Sequence, residues 1–152
     1  MKARTISAAL AGLMCAASIA LAQQENPGAG KEALPQASTE NGITYVCGGV
    51  GSEEAEKMKR AAREHDLMLT FATKTGSYLS DVQVDIADAR GRSLLNTTCS
   101  GPIMLVDLPR RGRYHIRGES EGHAASGVAL LRPGVKGTPL HLVVPVAGGE
   151  SG

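Results

Sequence analysis

Between Tyr78 and Arg117 the chain reads as short β-prone runs cut apart by turn residues, and that spacing restricts what it can fold into. Val82, Val84 and Ile86 alternate with Gln83 and Asp85, and Asp88-Ala89-Arg90-Gly91 then turns the chain. Leu94 to Cys99 is a second run, closed by Ser100-Gly101-Pro102. Ile103 to Val106 is a third, and Asp107-Leu108-Pro109 leads through Arg111-Gly112 into a fourth, Tyr114 to Arg117. Apolar residues at every second position bury one face of a pleated strand. Several such strands in close succession predict a small all-β sandwich.

The flanking segments extend the pattern. Ile43 to Val46, Leu67 to Thr73, Val128 to Leu131 and Leu140 to Val146 are further β-prone runs. The connector Arg132-Pro133-Gly134-Val135-Lys136-Gly137 has turn composition. One helix is expected, at about 52–64, with Ser52 as its N-cap and Glu53 and Glu54 where the helix dipole favours negative charge. Glu53 with Lys57 and Glu56 with Arg60 are i,i+4 pairs. Ala55, Met58, Ala62 and His65 would form its inner face. The fold expected is mainly β: an Ig-like sandwich of about seven strands with one short helix near the N-terminal side. With no Trp, one Phe and three Tyr, its core must be aliphatic. That also disfavours an aromatic platform for carbohydrate or single-stranded nucleic acid.

Residues 1–22 have the anatomy of a cleavable signal peptide. Lys2 and Arg4 precede an uncharged apolar run from Ile6 to Leu21, and Ala20-Leu21-Ala22 places small residues before Gln23. The run is shorter than the roughly 20 apolar residues a bilayer span needs. Cleavage takes two of the 16 basic residues and none of the 15 acidic ones, leaving a formal charge of −1. A chain so balanced has no global attraction for nucleic acid, and after cleavage nothing in it calls for membrane insertion. Residues 23–41, rich in Gln, Gly, Pro, Ala and Ser, read as a disordered leader, and 148–152 as a flexible tail. Residues 42–147 are left as the folded domain, in the periplasm or outside the cell.

Export also governs the cysteines. Cys47 and Cys99 remain after cleavage, and an oxidising compartment makes a disulfide between them the default. Closing that loop is worth about 4 kcal/mol in chain entropy.

The order Leu79 to Ile86, Asp88 to Gly91, Thr97 to Pro102, then Asp107-Leu108-Pro109 and Gly112-Arg113-Tyr114 resembles the carboxypeptidase regulatory-like, or transthyretin-like, β-sandwich domain. The likeness runs from Tyr78 to about Ala129. It departs from the family pattern at Arg110-Arg111, where one residue usually stands between Pro and Gly. The resemblance implies a non-catalytic accessory or binding module of the kind found in small exported bacterial proteins. The Tyr-Arg-Gly-Ser ending of the family's 5-hydroxyisourate hydrolases is missing from Val146 to Gly152.

No catalytic constellation is visible: Gly-x-Ser-x-Gly is absent, and Gly48 to Gly51 lacks the order of a phosphate-binding loop. His115 and His141 each oppose apolar neighbours, and would hold a metal with Asp107 or Glu121 only if their strands were adjacent. Neither has the ligand spacing of a metal site, so no metal and no cofactor is expected. Arg110, Arg111, Arg113 and Arg117 cluster about one hairpin and form the candidate interaction patch. The function expected is therefore an exported binding or accessory module, recognising an envelope protein or small ligand through a sheet edge or loops. The alternatives are a structural or assembly factor of the cell envelope and, last, a small hydrolase.

Overall fold

The computed structural model describes residues 33–146. The signal peptide, most of the leader and the flexible tail lie outside the described residues. The elements follow in the order β1 (Ser38–Glu40), β2 (Ile43–Gly48), α1 (Ser52–Ala61) with a 3₁₀ turn (Ala62–Glu64), β3 (Leu67–Ala72), β4 (Val82–Asp88), β5 (Ser93–Cys99), β6 (Ile103–Asp107), β7 (Gly112–Ser120), β8 (His123–Leu131) and β9 (Thr138–Val143). They make two sheets, a five-stranded one ordered β1-β2-β6-β3-β9 and a four-stranded one ordered β5-β4-β7-β8. The mainly β sandwich with one short helix is thus the observed fold.

Side-chain alternation builds the core between the sheets. Ile43, Leu67, Leu69, Phe71, Met104 and Val106 from the first sheet meet Val82, Val84, Ile86, Leu95, Ile116 and Leu131 from the second. A second apolar cluster lies on the other side of the five-stranded sheet, where Ala55, Met58 and Ala62 of the helix cover Val46, Ile103 and Leu105. Strand β6 lies between these clusters, with Met104 and Val106 facing the sandwich and Ile103 and Leu105 facing the helix. Burial on both faces explains why Ile103 to Val106 is an unbroken apolar run while β4, buried on one face, alternates.

Three expectations are revised. Residues 38–40, assigned by composition to the disordered leader, form β1, which pairs with β2 through the two-residue turn Asn41-Gly42. Both turn residues have positive φ, 50° and 76°, the backbone a tight hairpin needs and that Asn-Gly accepts readily. Glu121-Gly122 does the same between β7 and β8, so β8 begins at His123 and not at Val128. The helix also starts differently. Gly51 occupies the N-cap position without a side-chain bond, and the carboxylate of Glu54 accepts the Gly49 N–H at 2.8 Å and the Val50 N–H at 3.3 Å. Glu53 pairs with Lys57 as expected, at 3.9 Å, and Glu56 also bonds Lys59 at 3.0 Å.

The sandwich is stitched along one edge. A disulfide joins Cys47 of β2 to Cys99 of β5, strands in different sheets, with a Cα–Cα separation of 5.4 Å. The same edge carries a Tyr45–Thr97 hydroxyl bond at 3.2 Å and a bond from Asn41 Nδ2 to the Leu94 carbonyl at 3.0 Å. At the opposite edge Gly127 has no side chain, and the Leu140 and Leu142 methyls fill that space, within 3.0 and 3.2 Å of where a Cβ would stand.

Opening the Cys47–Cys99 bond is expected to lower stability by about 4 kcal/mol while the folded state persists. Urea unfolding of the Cys47→Ser/Cys99→Ser protein beside the oxidised chain measures this directly. Unchanged midpoints would mean that the edge is held by packing alone.

Candidate functional site

The two turns at one end of the four-stranded sheet lie side by side because β4 and β7 pair with Asp88 opposite Tyr114. The β4–β5 turn is tight: the Gly91 N–H bonds the Asp88 carbonyl at 2.9 Å, and the Asp88 N–H bonds the Arg92 carbonyl at 3.0 Å. The Asp88 carboxylate accepts the N–H groups of Arg90 and Arg92 at 2.9 and 3.0 Å, and Arg92 Nε at 3.2 Å. The Arg92 N–H, aided by the Arg90 N–H and the Arg92 guanidinium, outweighs partial burial and holds the Asp88 carboxyl below its ordinary range.

The facing β6–β7 loop is fixed from beneath. Tyr114 is buried, and its hydroxyl donates to the Arg110 carbonyl at 2.7 Å, four residues back. This is the tyrosine-corner device of sandwich folds. Burial raises the Tyr114 pKa, which keeps the hydroxyl a donor. The second anchor is Asp66, whose side chain is 4 % exposed. Its carboxylate accepts Arg111 Nη1 at 2.7 Å, Lys136 Nζ at 2.6 Å and the Leu108 N–H at 3.0 Å. Burial alone would push this carboxyl up. The bonds from Lys136, Arg111 and Leu108 more than offset it and hold the pKa below 3.8. Asp107 completes the support, bonding His65 Nδ1 at 2.8 Å and accepting the Asp66 N–H at 3.1 Å.

Between the two turns lies a cleft of about 510 Å³. Arg90 and Arg92 come from one turn, and Arg110, Arg111 and Arg113 from the other, with Asp88 the sole carboxylate among the lining residues. Arg92 is held on Asp88 and Arg111 on Asp66. Arg90, Arg110 and Arg113 make no ion pair among the described residues, so three guanidinium groups face solvent in a chain whose overall charge is near zero. Guanidinium groups present planar forks of N–H donors suited to carboxylate and phosphate.

The patch expected from the sequence is therefore divided. Arg110, Arg111 and Arg113 line the cleft, whereas Arg117 points from the outer face of β7, is bonded to Glu119 at 2.7 Å and lies opposite Asp85. His115 and His141 are not brought together: they project outward from β7 and β9, in different sheets. Asp107 is taken by His65, and no cluster of three metal-capable side chains occurs among the described residues. The Gly49 and Val50 amides that a phosphate would use are occupied by Glu54. Sequence reading missed Arg90 and Arg92, although the Asp-x-x-Gly turn carrying them was recognised. It also missed Asp66, whose partner Lys136 lies 70 residues away.

No family model matches the chain, and no curated protein matches it. A solved structure described as the crystal structure of S.CueP aligns over 74 % of this chain and 80 % of its own length, at 13 % identity and a TM-score of 0.39. So loose an overlap adds nothing to the reading of fold or site.

Two substitutions probe the support of the cleft. Tyr114→Phe is expected to cost about 0.5–1.5 kcal/mol through the lost bond to the Arg110 carbonyl, measured by denaturant unfolding. For Asp66 the folded-state pKa lies below the ordinary 3.8, so its contribution is complete above that value and is lost as pH falls through the lowered one. Asp66→Asn should then destabilise by about 1–3 kcal/mol at neutral pH. The gap between variant and parent should narrow under strong acid, at about pH 2. An equal gap at both pH values would assign the cost to packing.

Proposed function

We propose that this chain is an exported, non-catalytic binding module that captures an anionic partner in the arginine cleft at the end of its sandwich. The observation that carries the reading is the disposition of charge. Five arginines line one cleft against a single carboxylate, and three of the five have no ion-pair partner among the described residues. A cluster of one sign in a nearly neutral protein focuses the local field and steers oppositely charged ligands toward it.

The scaffold suits such a role. The β6–β7 loop is held by Asp66 and Tyr114, so the guanidinium groups start from a fixed backbone and less order has to be imposed on binding. The signal-like residues 1–22, together with the disulfide, support a periplasmic or secreted setting. The likeness of residues from Tyr78 to about Ala129 to carboxypeptidase regulatory-like domains supports an accessory role in place of catalysis.

A labelled peptide of consecutive acidic residues is the direct probe, followed by fluorescence anisotropy. Binding should weaken steeply between about 0.05 and 0.5 M salt, because the arginines are exposed and screened. Arg110→Ala/Arg113→Ala should weaken it at least about tenfold, given the usual strength of charge-assisted bonds. Arg117→Ala, outside the cleft, should leave it unchanged. Affinity indifferent to salt and to the paired substitution would overturn the assignment.

A further inference from the structure

The basic cleft does not end in solvent. Arg113 on β7 faces Leu130 on β8 directly across the ladder, and His115 faces Val128 in the same way. Directly opposed residues of an antiparallel pair stand only about 4.5–5.5 Å apart. The cleft therefore borders a second depression of about 350 Å³, whose apolar wall is Val128, Leu130, Val135 and Pro139. The charges beneath the two are shared as well. Arg111 on the cleft and Lys136 on the groove bond the same oxygen of Asp66, at 2.7 and 2.6 Å, which fixes one depression beside the other.

Val128 is 49 % exposed, Leu130 46 % and Val135 44 %, so the groove offers a strip of hydrocarbon to solvent. Apolar patches rimmed by polar groups mark interaction surfaces more often than idle ones. We propose that the cleft and the groove form one amphipathic docking surface for an extended peptide segment, acidic where it meets the arginines and apolar at alternate positions beyond. This rests on the reading of the cleft as an anion site and extends it to the class of partner.

Charge complementarity selects the acidic end, where Arg90, Arg110 and Arg113 have no ion pair among the described residues. Spacing selects the extended form. Leu130 and Val128 are alternate outward residues of a strand, about 6.6–7 Å apart, the same interval as alternate side chains of an extended partner. Ser126 follows them outward and ends the apolar strip, so two apolar residues on the partner suffice. A lipid chain fits less well. Binding sites for small apolar ligands enclose most of the ligand's surface, whereas this strip is half open along its length. Strand β8 is also the outermost strand of its sheet, so a segment laid along it displaces no neighbour in that sheet.

Three probes are compared by anisotropy and co-sedimentation: a labelled peptide with three acidic residues followed by alternating apolar and polar ones, the same acidic head with an all-polar tail, and phosphatidylglycerol vesicles. The first peptide should bind about tenfold tighter than the second, from burial of two aliphatic side chains. Val128→Ser/Leu130→Ser should abolish that preference and leave the polar-tailed peptide unaffected. Both positions are half exposed, so an unchanged melting temperature confirms that the fold is intact. Equal affinity for both peptides, or a preference that survives the serine substitutions, overturns the amphipathic surface and leaves the cleft reading standing. Binding to vesicles without preference between peptides overturns it in favour of a lipid surface. Binding of neither peptide removes the cleft reading itself.

Discussion

Asp66 begins the turn into β3 with its carboxylate almost wholly removed from water, a placement that is costly unless the charge is answered. Three donors answer it from two separate segments: the Leu108 amide and the Arg111 guanidinium of the β6–β7 loop, and the Lys136 ammonium in the connector before β9. The backbone of Asp66 is held in turn, its N–H by Asp107 and its carbonyl by Thr138. One small acid therefore locks the loop that carries half the arginine cleft and the connector that carries the lip of the apolar groove. Its contribution is less a sum of bond energies than a geometry: without it, two loops of independent origin would have no common reference.

The two edges of the sandwich are managed by opposite means. Where β2 and β5 approach, polar and covalent bonds cross from sheet to sheet, and the small residues Gly48 and Gly101 let their backbones touch. Where β8 and β9 approach, leucine side chains fill the space left by Gly127. The first edge is held by directional links and the second by shape. Exposed apolar side chains, Val128, Leu130, Val135 and Val143, collect along the second. The covering helix hides the apolar outer face of β2, β6 and β3, with Val46, Ile103, Leu105 and Met68 beneath it.

What could be read in advance was what is local. The alternation of β4, the strand at Ile103 to Val106, the helix with its Ala55–Met58–Ala62 face and the Cys47–Cys99 pair all depend on neighbouring residues or on compartment. Strand β1 and the start of β8 were hidden because Ser38 to Glu40 and Ala124 to Gly127 have weak β propensity. They are strands because a two-residue turn hands them a partner already in place. The site was half legible for a related reason. Arg110, Arg111 and Arg113 are near neighbours in the chain, but Arg90 and Arg92 join them only through the pairing of β4 with β7, and Arg117, on the same face as Arg113, lies four residues further along β7 and pairs with Glu119. Asp66 carried no signal, since a lone acid before an apolar strand looks the same whether its partners are distant cations or water.

Strand β6 bears on how the chain reaches its structure. It is inserted between β2 and β3, elements that precede it by a helix and a whole pair of strands of the other sheet. Neither β2 nor β3 pairs with the other, so the five-stranded sheet, and with it the seat of the helix, has no template until residues 103–107 arrive. In the four-stranded sheet the β4–β5 and β7–β8 hairpins close through short local turns, but their union through β4 and β7 spans β5 and β6 and waits for residues after 111. Loop closure over long separations is the slow part of folding. Each sheet therefore combines local hairpins with one central long-range pairing, β4 with β7 in one and β6 with β2 and β3 in the other, and the helix gains its full seat only once β6 is in place.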